Sequence, residues 1–171
     1  MEVRSFIALI LSVLLGISSC TGVSRPDTII ENEGGTGDMK ELPEFDIITI
    51  SEIGTEASTR EYEIVRTDGG VTVSFYYGPW NFNEATKRED CLTNRIEGGD
   101  ELYGSLRELV RDCKVEKWNG FSKSNPNVLD GSSFWLSGVI NGKEVSAHGS
   151  NAYPDGYSDF TRALWKMLNE Q

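Results

Sequence analysis

Two dipeptides, Asn141-Gly142 and Asp68-Gly69, constrain the fold of this chain more than any other residues. Each lies between runs of alternating apolar and polar residues, and both pairs suit the positive φ angles of a two-residue type I′ hairpin turn. Each therefore predicts a β-hairpin of defined register. Around Asp68-Gly69 the strands are Arg60 to Thr67 and Gly70 to Tyr77, with Ile64 opposite Val73 and Tyr62 opposite Phe75. One face then carries Tyr62, Ile64, Val71, Val73, Phe75 and Tyr77, and the other Glu61, Glu63, Thr72 and Ser74. Burial of one face with the other left wet is the habit of an antiparallel sheet. Around Asn141-Gly142 the strands are Ser133 to Ile140 and Lys143 to Gly149. Phe134, Leu136 and Ile140 share an apolar face, while Ser137 pairs with Ser146 and Trp135 with His148 on the other.

The remaining periodicity completes a fold class. Phe45 to Ile50 reads as a strand, and a further strand is open near Val115 to Phe121. From Asp100 to Cys113 the period changes: Leu102, Leu106, Leu109, Val110 and Cys113 fall on one helical stripe. Ser158 to Asn169 repeats it with Phe160, Leu164, Met167 and Leu168, and Ser158 or Asp155 is placed to cap that helix. Residues 83 to 99 read as a polar loop. Strands punctuated by helices without regular βαβ alternation predict an α+β fold. The expectation is a mainly antiparallel sheet of about five or six strands with two helices packed on one face. Residues 44–171 would form it as a single domain, with two small subdomains as the alternative.

The amino terminus carries a different signal. Arg4 precedes Phe6 to Leu15, an uncharged run too short to span a bilayer but suited to the core of an export signal. Ile17-Ser18-Ser19-Cys20 closes it. This stretch resembles the lipobox of bacterial lipoproteins. The resemblance implies a signal peptide over residues 1–19, acylation of the Cys20 thiol, and attachment to the membrane through that lipid. Acyl chains contribute about 0.8 kcal/mol per buried CH₂, so two or more hold a protein stably. Ordinary secretion with an unacylated Cys20 is the alternative. Residues 20–43 are polar, Gly-rich and acidic, and read as a flexible tether. The expected location is the cell membrane or outer membrane, with the domain facing the periplasm or exterior.

A formal charge of −11 argues against nucleic-acid binding, which needs clustered Lys and Arg. It also disfavours adhesion to anionic lipid. The one histidine cannot supply a multi-His metal centre, and no P-loop, CxxC, GxGxxG or GxSxG motif occurs. No cofactor, metal ligand or catalytic residue is therefore assigned. Cys91 and Cys113 enclose 23 residues. They either form a bridge, worth about 3 kcal/mol on the chain-entropy account, or stay reduced with Cys113 buried on its helical stripe.

The candidate ligand site is a platform of Trp135, His148, Asn151 and Tyr153, whose aromatic faces and polar edges suit a glycan or peptide; simple packing of the same residues is the alternative. A second aromatic cluster spans Tyr76 to Phe82 and has the same two readings. Trp118 to Phe121, Leu129 to Gly131, Phe134 to Leu136 and Gly149 to Pro154 are similar to a segment of uncharacterised bacterial exported proteins. That resemblance implies a compact family fold and no activity. The functional expectation is a lipid-anchored envelope protein that binds a glycan, a peptide or another envelope protein. A glycan hydrolase and an inhibitor or immunity-type protein are the alternatives.

Overall fold

Both predicted hairpins form, in a computed structural model that describes residues 41–54, 58–79, 87–128 and 130–170. The readings on residues 1–40, Cys20 and the signal among them, lie outside the described residues, as do Trp80 to Thr86 and Leu129. The strands are β1 (Phe45–Ile53), β2 (Ser58–Thr67), β3 (Gly70–Pro79), β4 (Leu92–Gly98), β5 (Ser122–Ser124), β6 (Ser133–Ile140) and β7 (Lys143–Ser150). The helices are α1 (Asp100–Asp112) and α2 (Tyr157–Asn169). Single turns of 3-10 helix occupy Arg88–Cys91 and Val115–Trp118.

The registers follow the turns. Ile64 pairs with Val73 and Tyr62 with Phe75, while Trp135 pairs with His148 and Ile140 with Lys143. Asn141 and Gly142 have φ of 51° and 69°, as a type I′ turn requires. The first turn is different. Neither Asp68 nor Gly69 adopts a positive φ; Gly70, at 140°, carries the left-handed geometry instead. The hairpin keeps its two-residue loop and changes only where the backbone turns.

Among the described residues the sheet has seven strands in the order β4-β3-β2-β1-β6-β7-β5, all antiparallel except β5 on β7. The sheet has one or two strands more than the expected five or six, and the two that the sequence does not mark, β4 and β5, are its edges. β4 occupies part of the stretch read as a loop, because only Ile96 of its seven residues is a buried apolar side chain. β5 is three exposed polar residues. The strand expected at Val115 to Phe121 is instead a 3-10 turn that buries Val115 and Trp118 and leads into β5. Edge strands that bury little leave little alternation to read.

Both helices lie on one face and close a single core. Ile48 and Ile50 of β1, Ile64 of β2 and Val73 of β3 meet Leu106 and Val110 of α1 and Phe160 and Leu164 of α2. Each such side chain contributes about 1.5–3 kcal/mol on leaving water, so the apolar stripes dominate the stability of both helices. A bulge between Phe45 and Ile47 turns both Phe45 and Ile48 inward. The partner of Ile48 is Gly138, where a Cβ would stand 2.6 Å from the Ile47 carbonyl oxygen. A glycine is needed for that close approach.

Helix α2 starts without the cap expected from Ser158 or Asp155. Its N-cap is Gly156, at φ 84°, with no side-chain capping bond. The chain crosses the end of α1 there, and a Cβ on Gly156 would lie 2.6 Å from the Cys113 carbonyl oxygen. Close passage, rather than capping chemistry, selects the residue.

The opposite face is partly covered over β2 and β3. Tyr76 and Ser74 are buried there, although Thr72 and Ser74 were expected on a wet surface. Arg88 reaches back from its 3-10 turn, 3.9 Å above the Tyr76 ring. Its Nε donates to Glu61 Oε1 at 2.5 Å and it pairs with Glu63 Oε1 at 2.8 Å. Ser51 Oγ donates to the other Glu61 oxygen at 2.6 Å. Burial alone would lower the Arg88 pKa, but the hydrogen bonds and charges of Glu61 and Glu63 raise it.

Candidate functional site

The expected platform is divided by the pleat of the sheet. Trp135 and His148 are cross-strand partners, both exposed on the face away from the helices. Together with Gly120, Ser122 and Ser146 they border a shallow hollow of about 460 Å³. Tyr153 belongs to the other side. Its ring stacks on Phe134, 5.4 Å between centroids, and lies 4.9 Å from Tyr157. The Tyr153 hydroxyl bonds to the Ser132 hydroxyl. Asn151, at φ 53°, ties down the loop: its amide nitrogen donates to the Val128 carbonyl at 3.3 Å and its N–H to the Ser132 carbonyl at 2.9 Å. The four residues therefore do not converge on one ligand. Consecutive strand residues point to opposite faces, and Tyr153 follows Phe134 rather than Trp135.

Cys91 and Cys113 are buried and unpaired. Cys113 belongs to the core beneath the helices, whereas Cys91 lies outside that cluster at the start of β4. The bridge does not form in this arrangement. Burial raises the Cys113 pKa, and the nearby carboxylates of Asp159 and Asp112 raise it further. Such a thiol is a poor nucleophile.

Another concavity among the described residues is not marked by the sequence. It is a cleft of about 550 Å³ between α2 and the ends of β1, β2 and β3. Its floor is a cross-strand row: Glu52 of β1 pairs with Arg60 of β2, and Arg60 with Tyr77 of β3. The next row, Tyr62 and Phe75, forms the inner wall. Ser158, Thr161, Arg162 and Trp165, three and four residues apart on α2, form the other wall. Trp165 is 48% exposed and Tyr77 47%, so both present open aromatic faces. Tyr77 was expected in the core face; it lies on that side but lines the open cleft.

The polar groups of the cleft are held in place. Tyr157 donates its hydroxyl to Glu52 Oε1 at 2.7 Å. Burial, then the Glu52 charge and that hydrogen bond, raises the Tyr157 pKa far above the usual phenol range. Burial and Glu52 likewise push Tyr62 up to about 12, against a smaller opposing effect of Arg60. Both phenols are thus neutral at physiological pH. Glu52 is the one carboxylate among the described residues of the lining.

Among the described residues no three His, Cys, Asp or Glu side chains gather as a metal site would require. No described helix is long and apolar enough to cross a membrane. No family model matches the chain, and no curated protein is significantly similar to it.

The residues of the cleft, Thr93 of β4 among them, lie in five separate elements, which explains why the sequence did not announce it. One local signal was present. In a helix read only for its apolar stripe, Trp165 falls outside Phe160, Leu164, Met167 and Leu168, beside Thr161 and Arg162. A large aromatic on the polar side of an amphipathic helix points to a surface that binds.

Proposed function

We propose that this protein is a lipid-anchored envelope binding module, tethered through Cys20, whose ligand is a glycan held in the cleft between α2 and the sheet. The observation that carries the reading is the pair of exposed rings, Trp165 and Tyr77, bordering one concavity. Flat aromatic faces accept the C–H face of a sugar, and pockets of this kind fix orientation with a few convergent polar groups. Glu52 would accept from sugar hydroxyls, while Arg60, Arg162 and Thr161 would donate. The lipobox-like residues Ile17 to Cys20 support the anchor.

The test is a panel of neutral and acidic oligosaccharides, with peptides as comparison, titrated calorimetrically into the full chain. Binding should be lost in Trp165→Ala and weakened in Tyr77→Ala. A ligand bound equally well by both variants would remove the cleft from consideration, and Trp135→Ala would then test the opposite face. Incorporation of labelled palmitate should disappear in Cys20→Ala; label retained by that variant would refute Cys20 as the anchor.

A further inference from the structure

A third hollow lies at the β5 edge of the sheet, where the end of α1, the 3-10 turn after it, β5 and the segment before α2 come together. It has a volume of about 360 Å³ and is lined by Lys114, Lys117 and Lys123 with Phe121 and Tyr153. Three of the chain's seven lysines thus border one concavity in a protein of net charge −11. Asp155 places one opposing charge at the rim.

The lysines are not occupied elsewhere. None of the three is ion-paired among the described residues, whereas Arg66, Arg88, Arg107, Arg111 and Arg162 all are. The Lys123 ammonium lies 5.4 Å from the centre of the Phe121 ring, over its face. Lys114 has φ 57°, a left-handed conformation that glycine adopts at lower cost after a helix end. Attraction to the C-terminal dipole of α1 accounts for a cation at Lys114 alone. It does not account for Lys117 and Lys123, which come from the next turn and from β5. The floor is firm: the buried Trp118 ring donates from Nε1 to the Asp155 carbonyl at 2.9 Å and meets Phe160 edge to face.

We propose that this hollow binds the phosphoryl group of a phosphorylated ligand, with Lys114, Lys117 and Lys123 as its charge partners and Phe121 and Tyr153 against the body that carries it. Three separate ammonium groups suit a multiply charged tetrahedral anion better than a planar carboxylate, which favours the two-pronged guanidinium. The phosphoryl group can belong to a soluble molecule or to a lipid headgroup. The assignment is independent of the glycan reading, because the two hollows share no residue.

The experiment uses the full chain carrying Cys20→Ala, so that no acyl chain contributes to membrane binding. Inorganic pyrophosphate is titrated at fixed ionic strength, and sedimentation is measured with phosphatidylcholine vesicles containing or lacking phosphatidic acid. The combined variant Lys114→Gln, Lys117→Gln, Lys123→Gln should weaken the binding by about tenfold or more. The combined variant Lys87→Gln, Lys143→Gln, Lys166→Gln, with the same change of net charge, should retain it. Pyrophosphate binding without vesicle binding assigns a soluble ligand, and vesicle binding specific to phosphatidic acid and competed by pyrophosphate assigns a headgroup. Equal weakening in both variants, or saturable binding to neither probe, overturns the proposal. Circular dichroism of the variants checks folding, which these exposed side chains should not affect.

Discussion

The rings of Phe75 and Trp165 meet edge to face, with centroids 5.3 Å apart, and join β3, beside one edge of the sheet, to α2. The contact gives the cleft a fixed wall. Phe75 is buried while Trp165 remains nearly half exposed, so one ring anchors and the other is presented. The same pair links stability to binding in a measurable way.

Trp165→Ala should cost about 1 kcal/mol of stability, the scale of an edge-to-face pair beyond its buried area. Equilibrium urea denaturation measures that loss. A cost several times larger would mean that Trp165 serves chiefly as core, and the binding role would lose its basis.

Arg88→Met should destabilise the protein by about 2 kcal/mol. It leaves Glu61 and Glu63, whose side chains are 12% and 22% exposed, without their cation on a covered face. Breaking a fully buried pair costs about 3–5 kcal/mol, and the water that reaches Arg88 reduces this. The double change with Glu61→Gln should recover part of the loss, which a double-mutant cycle in urea would reveal.

Alkaline pH should unfold the protein through its buried phenols. Tyr62 and Tyr157 have folded pKa values above the ordinary 10, Tyr62 at about 12. Above pH 10 the unfolded chain releases these protons before the folded one, so the native state binds more protons and stability falls as pH rises. The stabilising effect is complete below pH 10 and is lost progressively toward and beyond 12. Phenolate absorbance should rise together with loss of circular dichroism, and Tyr157→Phe should move the transition to higher pH.

Unfolding without reductant, followed by alkylation and peptide mass analysis, should label both Cys91 and Cys113. Neither thiol has a partner, so adding reductant should leave the thermal midpoint unchanged. A mass consistent with a Cys91–Cys113 bridge in the untreated protein would contradict the fold around the start of β4.

Asn141→Ala should cost about 2 kcal/mol, and Asn141→Gly less. The alanine must adopt the φ of 51° at Asn141, a penalty of about 1–2 kcal/mol, and it loses the side-chain bond from the Glu44 N–H at 2.8 Å. Both variants also lose the bond that the Asn141 amide nitrogen donates to Glu116, so the glycine loses the side-chain bonds but not the backbone geometry. A reversed order of the two variants in thermal denaturation would show that the tie to Glu44 outweighs the backbone geometry.

Much of the sheet could be read from residues close in sequence. Ile64 opposite Val73 and Trp135 opposite His148 follow from a two-residue turn and a period of two, both properties of a short chain segment. The stripes of α1 and α2 follow likewise from a period of 3.6. Local rules stopped where burial stopped. β5 exposes all three of its residues, so nothing in its composition separates it from a loop.

Turn geometry and side-chain periodicity therefore set the hairpins, the helices and the α+β class, because those depend on interactions a few residues apart. Packing set the rest. The course of α2 over the sheet brings Trp165 to Glu52, Arg60 and Tyr77, and the turn after α1 brings Lys114 and Lys117 to Lys123 and Tyr153. Tyr76 is buried and its neighbour Tyr77 open for the same reason: the two point to opposite faces, and the Arg88 segment covers one while the cleft leaves the other exposed. A side chain's burial is decided by what the rest of the chain places above it, which its own neighbours in sequence do not encode.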